Sequence, residues 1–190
     1  MKKFILVLAA TVLAAVAVSA QPRAIGARLG WGAEVSYQHS LGVDNMLSAE
    51  LSFPGFAAVG AAATYDWLNP FNTAIPWNHK GEWNWYLGAG AGLGFGWPDV
   101  EKSTVGDVTY KTSANWFSIG VAGRVGIEYE FWFPLQLSLD WRPTIGPSFS
   151  WARTTASGGG VDVNERSHST GFYLDGLWAG AISLGVRYKF

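Results

Sequence analysis

A strict alternation of apolar and polar residues constrains the fold of this chain more than any other feature. From Ile25 to Gln38 every odd position is apolar, and every even position holds glycine or a polar residue. A similar alternation of apolar residues with polar or small ones returns in the segments 47–53, 57–67, 83–97, 117–131, 135–141 and 178–190, and in the last of these the apolar residues are at even positions. A period of two is typical of β-strands with one apolar face, and no helical period appears after residue 20. The alternation therefore predicts an all-β fold.

The seven alternating segments become eight strands if the first one is split. An up-and-down membrane barrel needs an even number of strands, and Gly30-Trp31-Gly32 offers a turn inside the first segment. The predicted strands are 23–29, 33–41, 46–53, 56–68, 82–97, 115–131, 135–147 and 176–190. The alternative is that the long segment after Ile145 contains a further strand.

The first twenty residues have the features of a secretory signal peptide. Lys2 and Lys3 precede a stretch from residue 4 to residue 18 that is apolar apart from Thr11, and Val18-Ser19-Ala20 ends it with small residues. A membrane anchor is the alternative, but about 15 apolar residues are fewer than the roughly 20 that a spanning helix needs. We predict a signal peptide over 1–20 and one β-barrel domain over 21–190.

The direction of the apolar face separates a membrane barrel from a soluble one. A soluble barrel of the lipocalin kind turns its apolar face inward around a ligand, whereas a membrane barrel turns it outward to lipid. Only 14% of the residues are charged, against roughly 25% in typical soluble domains. The charges on the polar face are mixed with many glycines, which predicts a narrow lumen closed by ion pairs. That predicted network comprises Arg28, Glu34, Glu50, Asp66, Arg124, Glu128, Asp140, Arg142 and Arg187.

Aromatic residues concentrate at the ends of the predicted strands. Indole and phenol rings prefer the membrane–water interface, so two aromatic belts are expected of a transmembrane barrel. The tryptophans predicted to form these belts are Trp67, Trp83, Trp85, Trp97, Trp116 and Trp178. The sequence thus predicts an up-and-down antiparallel transmembrane β-barrel of eight strands.

The connections differ in length at the two ends of the predicted barrel. The connections on the side of the chain termini are shorter, whereas residues 98–114 and 148–171 are predicted to form long loops on the other side. Such an asymmetry is typical of outer-membrane barrels, whose long loops are extracellular. The basic loop residues are either solvated or in contact with lipopolysaccharide phosphates, and the mixed charge of the loops leaves both interpretations open. These residues are Lys102, Lys111, Arg153 and Arg166.

The chain ends on Phe190, with apolar residues two, four and six positions earlier. This end resembles the C-terminal assembly signal of bacterial outer-membrane β-barrel proteins. The resemblance implies recognition by the barrel-assembly machinery through Gly185, Tyr188 and Phe190. From residue 21 onward the chain resembles small eight-stranded outer-membrane proteins of the OmpA/OmpX kind. That resemblance implies export through the secretory pathway and residence in the cell outer membrane.

Few residue patterns in this chain point to catalysis or to a cofactor. The chain has no cysteine, its three histidines are far apart, and the glycines of 88–96 lack the G-x-G-x-x-G spacing. We therefore expect no catalytic residues, metal or cofactor, and the net charge of −1 indicates no nucleic-acid partner.

The sequence favours a structural or surface-interaction protein that contacts outer-membrane lipid, lipopolysaccharide and an extracellular partner at its long loops. One alternative is a lipid-modifying barrel enzyme, a deacylase or acyltransferase, with His168, nearby serines and Glu165 as the conceivable catalytic set. The other is a carrier of small hydrophobic ligands.

Overall fold

A computed structural model describes residues 23–30, 32–55, 57–71, 80–97, 100–175 and 181–190. The predicted signal peptide and Trp178 lie outside these ranges. Within them no helix is both long and apolar enough to cross a membrane. The described strands are β1 (Arg23–Leu29), β2 (Ala33–Ser40), β3 (Asn45–Phe53), β4 (Ala58–Pro70), β5 (Gly81–Gly96), β6 (Glu101–Val105), β7 (Val108–Phe131), β8 (Leu135–Trp141), β9 (Thr144–Gly158), β10 (Val161–Asp175) and β11 (Ile182–Lys189).

Antiparallel pairing closes these strands into a barrel. Strands β1 to β5 pair in chain order, and β5 pairs with β7. The second half of β7 pairs with β8, β8 pairs with β11, and β11 pairs with β1. In the described residues the closed wall therefore contains eight strands, as predicted.

Two of the wall strands continue past the closed ring. After Arg142 and Pro143 the chain of β8 resumes as β9, which pairs with the first half of β7, and β10 runs back beside β9 towards β11. Proline has no N–H for the ladder, so the interruption between β8 and β9 falls where a strand is easily broken. We call the part of β6, β7, β9 and β10 beyond the ring the projecting sheet.

The structure confirms the split of the first segment, because β1 ends at Leu29 and β2 begins at Ala33. The prediction that 98–114 and 148–171 are loops is wrong, since most of these residues form strands of the projecting sheet. The turn between β9 and β10 contains Gly159 (φ 55°) and Gly160 (φ 78°), and positive φ at both central positions suits a tight hairpin. Along β6 and most of β10 both faces are exposed, so these strands need no apolar alternation and the sequence pattern did not reveal them.

The apolar face of the barrel points outward. On β8, Leu139 is 45% exposed, whereas its neighbour Ser138 is 3% exposed. The largest fully buried side chains include three arginines, Arg28, Arg124 and Arg187. A water-soluble domain would bury the leucines and expose the arginines, so this inversion identifies the outer surface as the lipid-facing surface of a transmembrane barrel.

Aromatic side chains lie at both ends of the lipid-facing surface. At the end near the turns 41–44 and 132–134 they include Trp67, Trp83, Trp85, Tyr129, Phe131 and Tyr188. At the opposite end, which we call the upper end, they include Phe95, Trp97, Phe117, Phe149, Trp151 and Phe172. Ring centroids there are close, with 6.3 Å between Phe95 and Trp151 and 6.5 Å between Phe117 and Phe149.

Trp116 differs from the expectation that it belongs to an interface belt. It occupies an even-numbered position of β7, so its indole ring lies on the lumenal face. There it covers Gly94 and Gly96 of the neighbouring strand β5, where any side chain would overlap the ring.

Candidate functional site

The centre of the lumen is occupied by Arg124 of β7 and the carboxylates of three other strands. The Arg124 Nη1 atom lies 3.1 Å from Glu50 Oε1 on β3 and 3.0 Å from Asp66 Oδ2 on β4. Its Nη2 lies 3.3 Å from Asp140 Oδ2 on β8. All four side chains are fully buried. One guanidinium therefore links three carboxylates across the inside of the barrel.

Two further arginines extend this cluster upward. Arg28 of β1 pairs with Asp140, and its Nη1 lies 2.7 Å from Glu34 Oε2 and 3.5 Å from Glu50 Oε1. Arg142 contacts the same two glutamates, with Nη2 2.7 Å from Glu34 Oε1 and Nη1 3.1 Å from Glu50 Oε2. Three arginines and four carboxylates thus form one continuous network, which we call the lumen network. Its members are Arg28, Arg124, Arg142, Glu34, Glu50, Asp66 and Asp140.

The structure does not bring the other two predicted charges, Arg187 and Glu128, into this network. Arg187 donates from Nε to Ser36 Oγ at 2.9 Å and from Nη1 to Ser138 Oγ at 2.8 Å. Glu128 accepts a hydrogen bond from the Gln136 amide. Hydroxyl and amide groups therefore contact these two buried charges where the sequence predicted ion pairs, and Arg187 Nη2 has no hydrogen-bond partner among the described residues.

Tyr86 is a member of the site that the charge pattern did not reveal. Its hydroxyl donates to Asp140 Oδ2 at 2.9 Å, and the Arg124 guanidinium lies 4.9 Å from the centre of its ring. Its side chain has no solvent exposure. In the sequence, the even-numbered position of Tyr86 between Asn84 and Gly88 is the feature that indicates a ring on the lumenal face.

Glycines supply the space that these large side chains occupy. At Gly88 an added Cβ would overlap the Asp66 carboxylate, and at Gly126 it would lie 2.6 Å from Tyr86 Cζ. Gly185 is similar, because an added Cβ there would overlap the Ser138 hydroxyl and lie 3.1 Å from Arg28 Cγ. Gly185 thus has a packing role beside its predicted role in assembly.

The other two residues of the predicted assembly signal, Tyr188 and Phe190, lie on the outer surface. They are 55% and 58% exposed, and their ring centroids are 6.5 Å apart.

A cavity of about 100 Å³ lies in the upper lumen, above Arg142. Small or hydroxyl-bearing side chains, one indole and one phenol line most of its wall. Known ligand pockets measure roughly 300–1,000 Å³, so this cavity is too small for a lipid or another extended apolar ligand. Its lining includes Ser52, Gly92, Trp116, Ser118, Thr144 and Tyr173.

The conceivable catalytic set near His168 does not converge. His168 pairs with Trp151 of β9, which is on the outer face, so its imidazole also faces outward. Glu165, Ser167 and Ser169 alternate with it along β10 and lie on the opposite face. In the described part of the chain no three metal-ligating side chains are grouped where they could hold an ion.

Strand β10 forms one margin of the projecting sheet. Its residues from Val161 to Asp175 pair with β9 along one edge, and among the described residues no strand pairs with its other edge. An edge of this kind presents unpaired backbone N–H and C=O groups.

No protein-family model matches the chain, and no curated protein matches it. Among solved structures, a "KdgM porin in complex with disordered oligogalacturonate" matches at 11% sequence identity and a TM-score of 0.26. The match covers 89% of this chain and 99% of that chain. The assignment of the fold rests on the strand register and burial of this chain itself.

Proposed function

We propose that this chain is an integral protein of the bacterial outer membrane, with a sealed lumen and a structural or surface-interaction role. The observation that carries the proposal is the difference between the closed barrel and the projecting sheet. The lumen is filled by buried arginines and carboxylates, while the projecting sheet extends beyond the barrel.

The composition and packing of the lumen support a sealed barrel. The lumen network pairs three cations with four anions, and its central members have no solvent exposure. Eight strands enclose an interior just wide enough for side chains to fill it. Passage of a hydrated solute would require several buried ion pairs to separate at once.

The free edge of β10 supports a role in surface interaction. An extended segment of a partner protein can add to such an edge as a further strand, with backbone hydrogen bonds providing affinity. The predicted signal peptide and C-terminal assembly signal agree with export and insertion by the barrel-assembly machinery.

Two measurements test this proposal. In planar bilayers at neutral pH the folded protein should show little or no steady conductance, because the lumen network closes the path. A stable, large single-channel conductance would contradict the sealed lumen.

The orientation is tested by labelling single cysteines in intact cells, since the native chain has none. A membrane-impermeant maleimide should label Asp162→Cys at the tip of the projecting sheet but not Asp44→Cys in the turn at the opposite end. The reverse result would place the projecting sheet in the periplasm and end the proposal of a surface role.

A further inference from the structure

The four basic side chains of the projecting sheet all lie on one of its two faces. On β7 and β9 the outward face is odd-numbered, and it carries Lys111 and Arg153. Lys102 of β6 pairs with Lys111, and Arg166 of β10 pairs with Arg153, so both share that face. Glu101 and Glu165 alternate with these residues and lie on the opposite face. The outward face thus carries four basic residues and one acidic residue, Asp162, which pairs with Ser157 of β9 near the tip, whereas the opposite face carries Glu101 and Glu165.

We call the surface formed by Lys102, Lys111, Arg153 and Arg166, with His168 at its lower margin, the cationic face. Its members lie on four adjacent strands, which are about 4.8 Å apart, and within a few residues along each strand. Arg153 Nε donates to Asn164 Oδ1 at 3.0 Å, which holds its guanidinium along the surface. All five side chains are exposed. Of the ion pairs among described residues, none involves a member of the cationic face.

The cationic face lies directly above the upper aromatic belt. Arg153 follows Trp151 by two residues on the same face of β9, a step of about 7 Å. His168 is paired with Trp151 itself. Tryptophan rings mark the level of the membrane–water interface, so the cations just above them lie at the depth of lipid headgroups.

We propose that the cationic face binds the phosphate groups of a glycolipid of the outer leaflet, with its acyl chains along the apolar surface below. Charge complementarity favours phosphate, and the exposed rings of Phe149 (39%) and Phe172 (68%) provide the adjoining surface for chains. The face is open and directed sideways along the membrane, which suits an amphiphile anchored in the bilayer better than a soluble anion. The proposal rests on the outward orientation of the projecting sheet proposed above.

A charge-conserving variant provides the matched test. It exchanges three cations with the neighbouring residue of the opposite face: Lys111→Thr with Thr112→Lys, Arg153→Thr with Thr154→Arg, and Arg166→Ser with Ser167→Arg. Composition and net charge stay the same, and only the face that bears the cations changes. Both proteins are folded in phosphatidylcholine nanodiscs with bisphosphorylated lipid A, and native mass spectrometry counts the lipid A molecules that remain bound.

We expect the exchanged variant to bind bisphosphorylated lipid A about 100-fold more weakly, since each cation near an anionic surface contributes about fivefold. Dephosphorylated lipid A should bind weakly and equally to both proteins. Equal retention of bisphosphorylated lipid A by both proteins would overturn the proposal. So would displacement of the lipid by millimolar inorganic phosphate, which would indicate a site for soluble anions.

A milder variant covers the case in which the triple exchange disturbs folding. Arg153→Gln alone should weaken lipid A binding about fivefold while circular dichroism remains unchanged. Unchanged binding by a folded Arg153→Gln protein would contradict the proposal. Because the nanodisc measurement does not depend on orientation in cells, its failure is distinct from a failure of the cysteine-labelling test.

Discussion

At the scale of single residues, the lumen depends on pairing large side chains with glycines. Tyr86 occupies space that Gly126 leaves on the neighbouring strand β7, and it lies between Arg124 and Asp140. Close packing leaves little room for relaxation in such an interior. A single methyl group at Gly126 would therefore displace the ring that orders the centre of the network.

Gly126→Ala should lower the free energy of unfolding in lipid vesicles by about 1–3 kcal/mol, because the new Cβ would lie 2.5 Å from Asp140 Cβ and 2.6 Å from Tyr86 Cζ. Gly123→Ala is the matched control on the same strand, since its Cβ would meet Pro143 Cγ at 3.8 Å. We expect the control to change stability by about 0.5 kcal/mol or less. Urea titration followed by tryptophan fluorescence measures both; equal losses would contradict the packing argument.

Whether a residue has an odd or an even position along its strand indicates whether its side chain faces the lumen. It does not indicate which of the lumenal side chains contact one another. Arg28 of β1 reaches Asp140 of β8 across the intervening strand β11. That contact depends on the stagger between strands and on the length of each side chain. For the same reason the pattern could not show that Arg187 binds Ser36 and Ser138 and lies apart from the carboxylate network.

At the scale of elements, the barrel strands were predictable and the projecting sheet was not. Strands β1 to β5 have lipid on one face and the lumen on the other, so burial imposes the period of two. Along most of β6 and β10 both faces are exposed, and serine, threonine and glycine satisfy either environment. The glycines 106 and 158–160 have positive φ at the turns of these hairpins.

The assignment of residues 166–172 to strand β10 can be tested against the loop that the sequence predicted. A small fluorophore on Phe172→Cys should be quenched by lipid-chain quenchers, because Phe172 is in the upper aromatic belt. The same label on Arg166→Cys, six residues away on the same face, should respond only to aqueous quenchers. If both labels respond only to aqueous quenchers, residues 166–172 form a water-exposed loop and the strand assignment is wrong.

At the scale of the whole molecule, the lumen network acts as a set of cross-links between distant strands. The single side chain of Arg124 connects β7 with β3, β4 and β8. Removing one member of a buried ion network leaves the others desolvated without compensation, which is costly. The network should therefore contribute to the stability of every strand that it touches.

Arg124→Met should lower the free energy of unfolding in phosphatidylcholine vesicles by about 3–5 kcal/mol, because Glu50, Asp66 and Asp140 would lose a buried partner. Lys80→Met provides the control with an exposed cation, whose ammonium lies 5.3 Å from the Trp132 ring centre. We expect the control to change stability by about 1 kcal/mol or less. A loss at Arg124 no greater than at Lys80 would show that the network contributes little.

The seam between β1 and β11 has a consequence for the kinetics of folding. It pairs Ala24 with Lys189 and Leu29 with Leu184, residues separated by almost the whole barrel sequence. Contacts of such high contact order form slowly, because a long loop must close before any of their pairing energy is gained. Until then β1 and β11 keep open edges and the buried arginines lack an enclosing wall. We therefore expect seam substitutions to slow the folding rate, while changes within the β4–β5 hairpin leave it almost unchanged.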